Sequence, residues 1–127
     1  FTAADSNEVQ SVVTKAVGEC DALYIPTDNT IANNTEIVKN VAVPAGIPVV
    51  TGEEGMCSGC GLATLSISYY DLGVKAAEMA YEILTNGADP AQMAIGYVTD
   101  GITEKYNADI AEALNITIPE DMVAIEN

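Results

Sequence analysis

The chain has 127 residues, the length of one domain or one lobe of a larger protein, and 49% of them are apolar, enough to bury a real core. Nineteen acids face four lysines, with no arginine and no histidine, for a formal charge of −15. That balance excludes nucleic acid as a partner, argues against docking on an anionic membrane, and removes a Ser-His triad, a His general base and a His-ligated metal.

In chain order, residues 1–4 read as the end of a strand whose beginning is missing, so the chain is expected to be a processed or shortened piece. Asp5 and Glu8 have the spacing of a capping box, and Val9, Val12, Val13, Ala16 and Val17 repeat at helical spacing until Gly18. Residues 21–25 form a short apolar run closed by Pro26, which predicts a buried parallel strand. Thr27-Asp28-Asn29-Thr30 supplies cap residues for a helix carrying Ile31, Ile37, Val38, Val41 and Ala42, and Gly46 ends it. A second buried strand is expected at 47–51, then a loop of acids, glycines and cysteines at 52–61, then a strand at 62–68. Asp71 suits the cap of the longest helix, in which Val74, Ala77, Met79, Ala80, Ile83 and Leu84 repeat before Asn86-Gly87. The tail predicts strands at 94–98 and 102–106, a small helix at 108–114 capped by Asn107, and an extended end at 116–119. No apolar run approaches the ~20 residues that span a bilayer.

Such βα alternation builds a parallel sheet with helices packed on it, and ligands of such sheets sit at the carboxyl ends of the strands. Three small polar segments arrive at that edge: 5–7, 27–30 and 52–55.

Asp21-Ala22-Leu23-Tyr24-Ile25-Pro26-Thr27-Asp28-Asn29-Thr30 and Leu62-Ala63-Thr64-Leu65-Ser66-Ile67-Ser68-Tyr69-Tyr70-Asp71-Leu72-Gly73 resemble stretches of ABC-transporter substrate-binding proteins of the tryptophan/tyrosine-binding type. The Ile47-Pro48-Val49 strand, Gly87-Ala88-Asp89-Pro90-Ala91, Asn107 and the Ile116-Thr117-Ile118-Pro119 ending extend the resemblance over essentially the whole chain. It implies a three-layer, parallel-sheet α/β lobe of a type I periplasmic-binding-protein fold, here incomplete. Similar proteins are longer, and this chain matches their C-terminal part. By that resemblance, residues 1–61 are βα units of the C-terminal lobe, 62–98 a strand and helix belonging to the N-terminal lobe, and 99–127 the return. It further implies a binding protein that performs no chemistry and needs no cofactor or metal. Such a protein would deliver a small solute, an amine-bearing one such as an aromatic amino acid, to a membrane permease. Its place would be extracytoplasmic, with a lipid anchor on the full-length protein.

Similar proteins carry a carboxylate at the position of Asp28, where it meets a ligand's ammonium or hydroxyl groups; Asp28 is equally placed to cap the next helix. Asn29 beside it both donates and accepts. Glu53 stands where relatives of this fold carry an aspartate, with Glu54 competing for the role, and Asn7 lies at the first strand edge. With no arginine, a ligand carboxylate has no bidentate clamp in this chain. Cys57 and Cys60, in Cys-x-x-Cys spacing, supply half of a zinc site, and as a loop motif they lack the strand-then-helix setting of a dithiol redox centre. A local disulfide is expected in an exported protein, with free thiols as the alternative. Two other function classes stay open on the residues: a receiver-like signalling domain with Asp28 as phosphoacceptor, and a dithiol redox protein. The apolar stripe of the 71–86 helix, deprived of its usual partner lobe, is expected to drive the chain into a homo-oligomer.

Overall fold

The computed structural model describes residues 1–99 and 101–126. Asp100 and Asn127, two positions of the 99–127 return segment, lie outside the described residues. The chain divides into two compact units, Phe1–Ser66 with Thr103–Asn127, and Ile67–Ile102.

The first unit is α/β, with α1 (Val9–Val17), β1 (Leu23–Ile25), α2 (Asn29–Ala32), α3 (Thr35–Ala42), β2 (Val49–Thr51), α4 (Glu54–Cys60) and β3 (Ala63–Ser66) in order. The second unit contributes α5 (Tyr69–Asn86), after which β4 (Thr103–Tyr106), α6 (Ala108–Ala113) and β5 (Val123–Ala124) complete the first. The sheet runs β1-β2-β3-β4-β5. β1, β2 and β3 are parallel, β4 is antiparallel to β3, and β5 is parallel to β4. The reversal of β4 is a departure from an all-parallel sheet. The chain leaves β3 at Ser66 and re-enters at Thr103, opposite the residue it left from, so it must run back down the same edge.

Strand side chains alternate between faces. Val49, Thr51, Thr64 and Ser66 are buried, while Val50 and Leu65 between them, and Tyr24 between the half-buried Leu23 and Ile25, stand exposed on the other face. Val9, Val13, Val38, Ala42, Val49 and Cys60 form the main core, joined by Leu23 and Ile25, so α1, α3 and α4 cover one face of the sheet. A second cluster of Leu62, Ile110 and Ala111 seats α6, with Val43, Ala63 and Tyr106 against it.

Several expected elements change on folding. Residues 1–4 and 94–98 are irregular, because neither run finds a neighbouring strand to ladder with among the described residues. The helix expected through 31–42 is two: Asn34 donates its side-chain amide to the Thr30 carbonyl at 2.7 Å, and the chain restarts at Thr35. Around Asp5, the Asn7 N–H donates to Asp5 Oδ1 and the Ala4 N–H to the Glu8 carboxylate, so the expected reciprocal box does not form, and α1 starts after Glu8 with no side-chain cap. Ser68, not Asp71, caps α5, its hydroxyl accepting from the Asp71 N–H at 3.1 Å.

In the second unit α5 has no buried residue. Tyr69, Tyr70, Tyr81 and Leu84 are exposed along it. Met93, Ala94, Ile95, Gly96 and Tyr97 run beside its Lys75, Glu78 and Met79 side, where Gly96 leaves room for the Met79 sulfur.

Candidate functional site

The parallel run of β1, β2 and β3 brings the ends of three strands, Ile25, Thr51 and Ser66, to one edge. The loops after β1 and β2 touch there. A Cβ on Gly52 would lie 2.7 Å from the Thr27 nitrogen, so only glycine lets the two loops meet. The sheet edge therefore gathers Thr27, Asp28 and Asn29 beside Gly52, Glu53 and Glu54.

Each carboxylate there has a distinct occupation. Asp28 caps α2, its Oδ1 accepting from the Ile31 N–H at 3.0 Å, and remains exposed; Asn29 opens the same helix, exposed. Glu53 folds back on its own helix, accepting from the Gly55 N–H at 2.8 Å and from the Met56 N–H. Glu54 turns the other way: its Oε2 accepts from Ser66 Oγ at 3.2 Å and from Lys105 Nζ at 2.7 Å. The Lys105 hydrogen bond and charge, helped by Ser66, outweigh partial desolvation and hold the Glu54 carboxyl below its ordinary range. Asn7 sits in the exposed turn before α1; no hydrogen bond among the described residues joins it to the 27–30 or 52–55 segments.

Ser66 and Lys105 are not identifiable as site residues from sequence. Lys105 faces the helix side of the sheet because it pairs with Thr64 in register. The readable signal was that it is the one lysine of the four falling in a strand.

A groove of about 350 Å³ lies along β1, the open edge of the sheet, between residues 1–3, α1 and α2. Val9, Val12, Val13, Leu23 and Ile25 make its walls apolar, and Asp28 and Thr30 mark its polar end.

The 52–61 segment is helical rather than a loop. Glu53 caps it, and Met56, Cys57 and Cys60 turn into the core. Cys57 and Cys60 are free thiols: the Cys57 sulfur donates to the Gly61 carbonyl at 3.5 Å and the Cys60 sulfur to the Met56 carbonyl at 3.4 Å. The expected bridge is absent, each thiol being spent on the carbonyl one turn away. The motif thus has the strand-then-helix setting of a redox pair, but the opposite electrostatics. Burial pushes Cys57 up from the usual 9.0 to about 11 and Cys60 to about 12, where redox centres lower a thiol.

Both thiols are therefore expected to resist alkylation. At pH 8, a thiol titrating near 11 rather than 9.0 holds about a hundredfold less thiolate, and Cys57 should label more slowly by that factor. Half-buried Cys20 should label first. Because the folded pKa values are raised, this stabilisation is complete below pH 9 and is lost as pH climbs towards 11 and 12. Iodoacetamide labelling with mass readout checks it; equal labelling of all three in folded protein contradicts the burial.

Among the described residues no group of three or more His, Cys, Asp or Glu side chains stands ready to hold a metal ion, and no helix is long and apolar enough to cross a membrane.

A tyrosine-binding protein of Clostridioides difficile (strain R20291) is 44% identical over 79 residues, 62% of this chain and 23% of that protein. The ligand-free, open structure of a substrate-binding protein with adhesive properties from Clostridium difficile matches 99% of this chain and 42% of its own, at 36% identity and TM-score 0.72. An ABC domain from Streptococcus pneumonia, in complex with L-Trp, matches 98% of this chain and 43% of its own, at 32% identity and TM-score 0.84. A conserved domain protein of Vibrio cholerae matches 99% and 43%, at 30% identity and TM-score 0.83. The chain thus spans less than half the length of these relatives. A family profile described as ABC transporter substrate binding protein matches residues 1–126, and with that match over nearly every residue the chain belongs to the ABC-transporter substrate-binding protein family.

Proposed function

We infer that this chain is the C-terminal part of a two-lobed solute-binding protein of an ABC importer. Its solute is a small amine-bearing molecule, an aromatic amino acid first among the candidates. The observation that carries the reading is the meeting of the 27–29 and 52–54 loops at one strand edge, within a family of substrate-binding proteins. An L-Trp-bound relative and a tyrosine-binding relative support the ligand class.

Asp28 and Asn29 after β1, and Glu54 after β2, are the proposed ligand contacts; Glu53 supports them by fixing the start of α4, and Asn7, in the turn before α1, is proposed as a further contact. Of the 62–98 stretch expected in the other lobe, residues 67–98 are proposed for it, in keeping with the separate compactness of Ile67–Ile102, whereas residues 62–66 ladder and pack within the first unit. The site binds without chemistry or cofactor. Closure of two lobes on the solute gives the form that a membrane permease accepts, in an extracytoplasmic setting with a lipid anchor on the whole protein. In the chain by itself, a homo-oligomer is the proposed cover for the exposed α5.

Calorimetry with L-tyrosine and L-tryptophan tests the reading on this chain and on the longer protein that carries it. The longer protein should bind one of them. This chain should bind weakly, since a cleft ligand is normally buried on most of its surface and one lobe supplies part of that. Light scattering on the same sample reads self-association. Submicromolar binding by the chain alone would sink the two-lobe account, and absence of any amino-acid binding by the longer protein would sink the ligand class.

A further inference from the structure

Of the two adjacent acids after β2, one has an oxygen to offer. Both oxygens of Glu53 are consumed by N–H groups of its own helix. Glu54 is anchored through Oε2 alone, to Ser66 at the end of β3 and Lys105 on β4, and among the described residues Oε1 accepts no hydrogen bond. Its side chain is 40% exposed and that of Lys105 is 26% exposed, so the carboxylate faces water while the cation stands behind it. Three separate elements thus converge to fix one carboxylate at the strand edge.

We propose that Ser66 and Lys105 are positioning residues that hold Glu54 as the acceptor of the ligand's ammonium group, an inference that rests on the solute-binding reading above. A glutamate free in solvent would surrender its rotamer freedom on binding; one already held by two donors has done so beforehand. A ligand ammonium then meets a fixed, ionised oxygen. Lys105 also sets the ligand class: a second positive charge on the solute would face its ammonium, so zwitterions with one amine are accepted over diamines.

The groups facing Glu54 are Lys105 from β4, Ser66 from β3, and Cys57 from its own helix. Cys57 is neutral throughout the acid range, so Lys105 dominates how Glu54 titrates.

The experiment is calorimetric binding of L-tyrosine and L-tryptophan to the longer protein across the acid range, for the wild type and for Glu54→Gln, Lys105→Gln, Lys105→Arg and Ser66→Ala. Glu54→Gln should lose about ten- to hundredfold in affinity, the worth of a hydrogen bond to a charged partner, and lose its share of the acid limb. Lys105→Gln should move that limb to higher pH, because the neutral amide no longer favours the carboxylate. Lys105→Arg should restore it, which a merely structural role would not predict. Should Lys105→Gln not fold, Ser66→Ala and Lys105→Arg carry the comparison. If the wild type binds neither amino acid, the solute reading falls and this inference with it. If the wild type binds while Glu54→Gln leaves affinity intact or the limb stays put in Lys105→Gln, the inference alone is overturned.

Discussion

Asn107→Ala is expected to cost about 2–3 kcal/mol of folding stability and to lower the melting temperature by roughly 10 °C. Asn107 is 4% exposed, and every polar atom of its side chain is engaged. Its Oδ1 caps α6 by accepting from the Ile110 N–H at 3.2 Å. Its Nδ2 donates to the Cys57 carbonyl at 3.2 Å, which also accepts from the Gly61 N–H, and to the Ser58 carbonyl at 2.8 Å, both in the last turn of α4. Alanine removes a cap worth about 1 kcal/mol and takes a donor from one buried and one half-buried carbonyl, which costs about as much again. Asn107→Asp separates the two roles. It keeps the cap oxygen but sets a carboxylate against two carbonyl oxygens, so it should be the worse variant at neutral pH and recover on acidification. Thermal melts of the two variants at neutral and acid pH read the difference. An aspartate variant as stable as the wild type at neutral pH would show that the amide donors contribute nothing.

Glycine-to-alanine changes should have opposite signs in the two units. At Gly59 an added Cβ would lie 2.4 Å from Thr35 Oγ1 and 2.6 Å from Thr35 Cβ, the latter fixed by the backbone of α3. Alanine is the better helix former by about 1 kcal/mol, yet overpacking of this kind costs about 1–3 kcal/mol and here forces α3 from α4. The net expectation is a loss of about 2 kcal/mol. Thr35→Gly, combined with it, removes the obstructing atoms and should recover part of that loss. Gly73, inside α5, has nothing within 4 Å of its missing Cβ, so alanine there should add up to about 1 kcal/mol to the helix. Denaturant titrations of the single and double variants suffice. A neutral Gly59→Ala would mean that the two helices separate at little cost.

The sequence reading succeeded where local chemistry and periodicity agreed. Val9, Val13 and Ala16 lie at helical spacing and are buried in α1, and Asn107 starts α6 as its side chain suggests. It failed where tertiary packing overrode composition. Glycines at 52, 55, 59 and 61 argue for a loop, yet Glu53 caps the segment and Met56, Cys57 and Cys60 gain a core face, so a helix forms. The spacing of those three apolar residues behind an acid was the available signal. The two Asn107 donors and the Ser66–Glu54–Lys105 cluster were illegible for a different reason. They join residues from 12 to 51 positions apart along the chain, and only register brings them together. β5 is two residues long, too short for any alternation to announce it.

The reversed β4 has a consequence for how the chain tolerates change. Because Ser66 pairs with Thr103, the whole of Ile67–Ile102 is a loop whose two ends are already tied by a ladder. Closing such a loop costs only about 0.6 kcal/mol more for each doubling of its length. The first unit is therefore nearly indifferent to how much chain is inserted there. Lengthening, shortening or exchanging that excursion leaves the β3–β4 register where it is, so the two units are free to diversify at different rates.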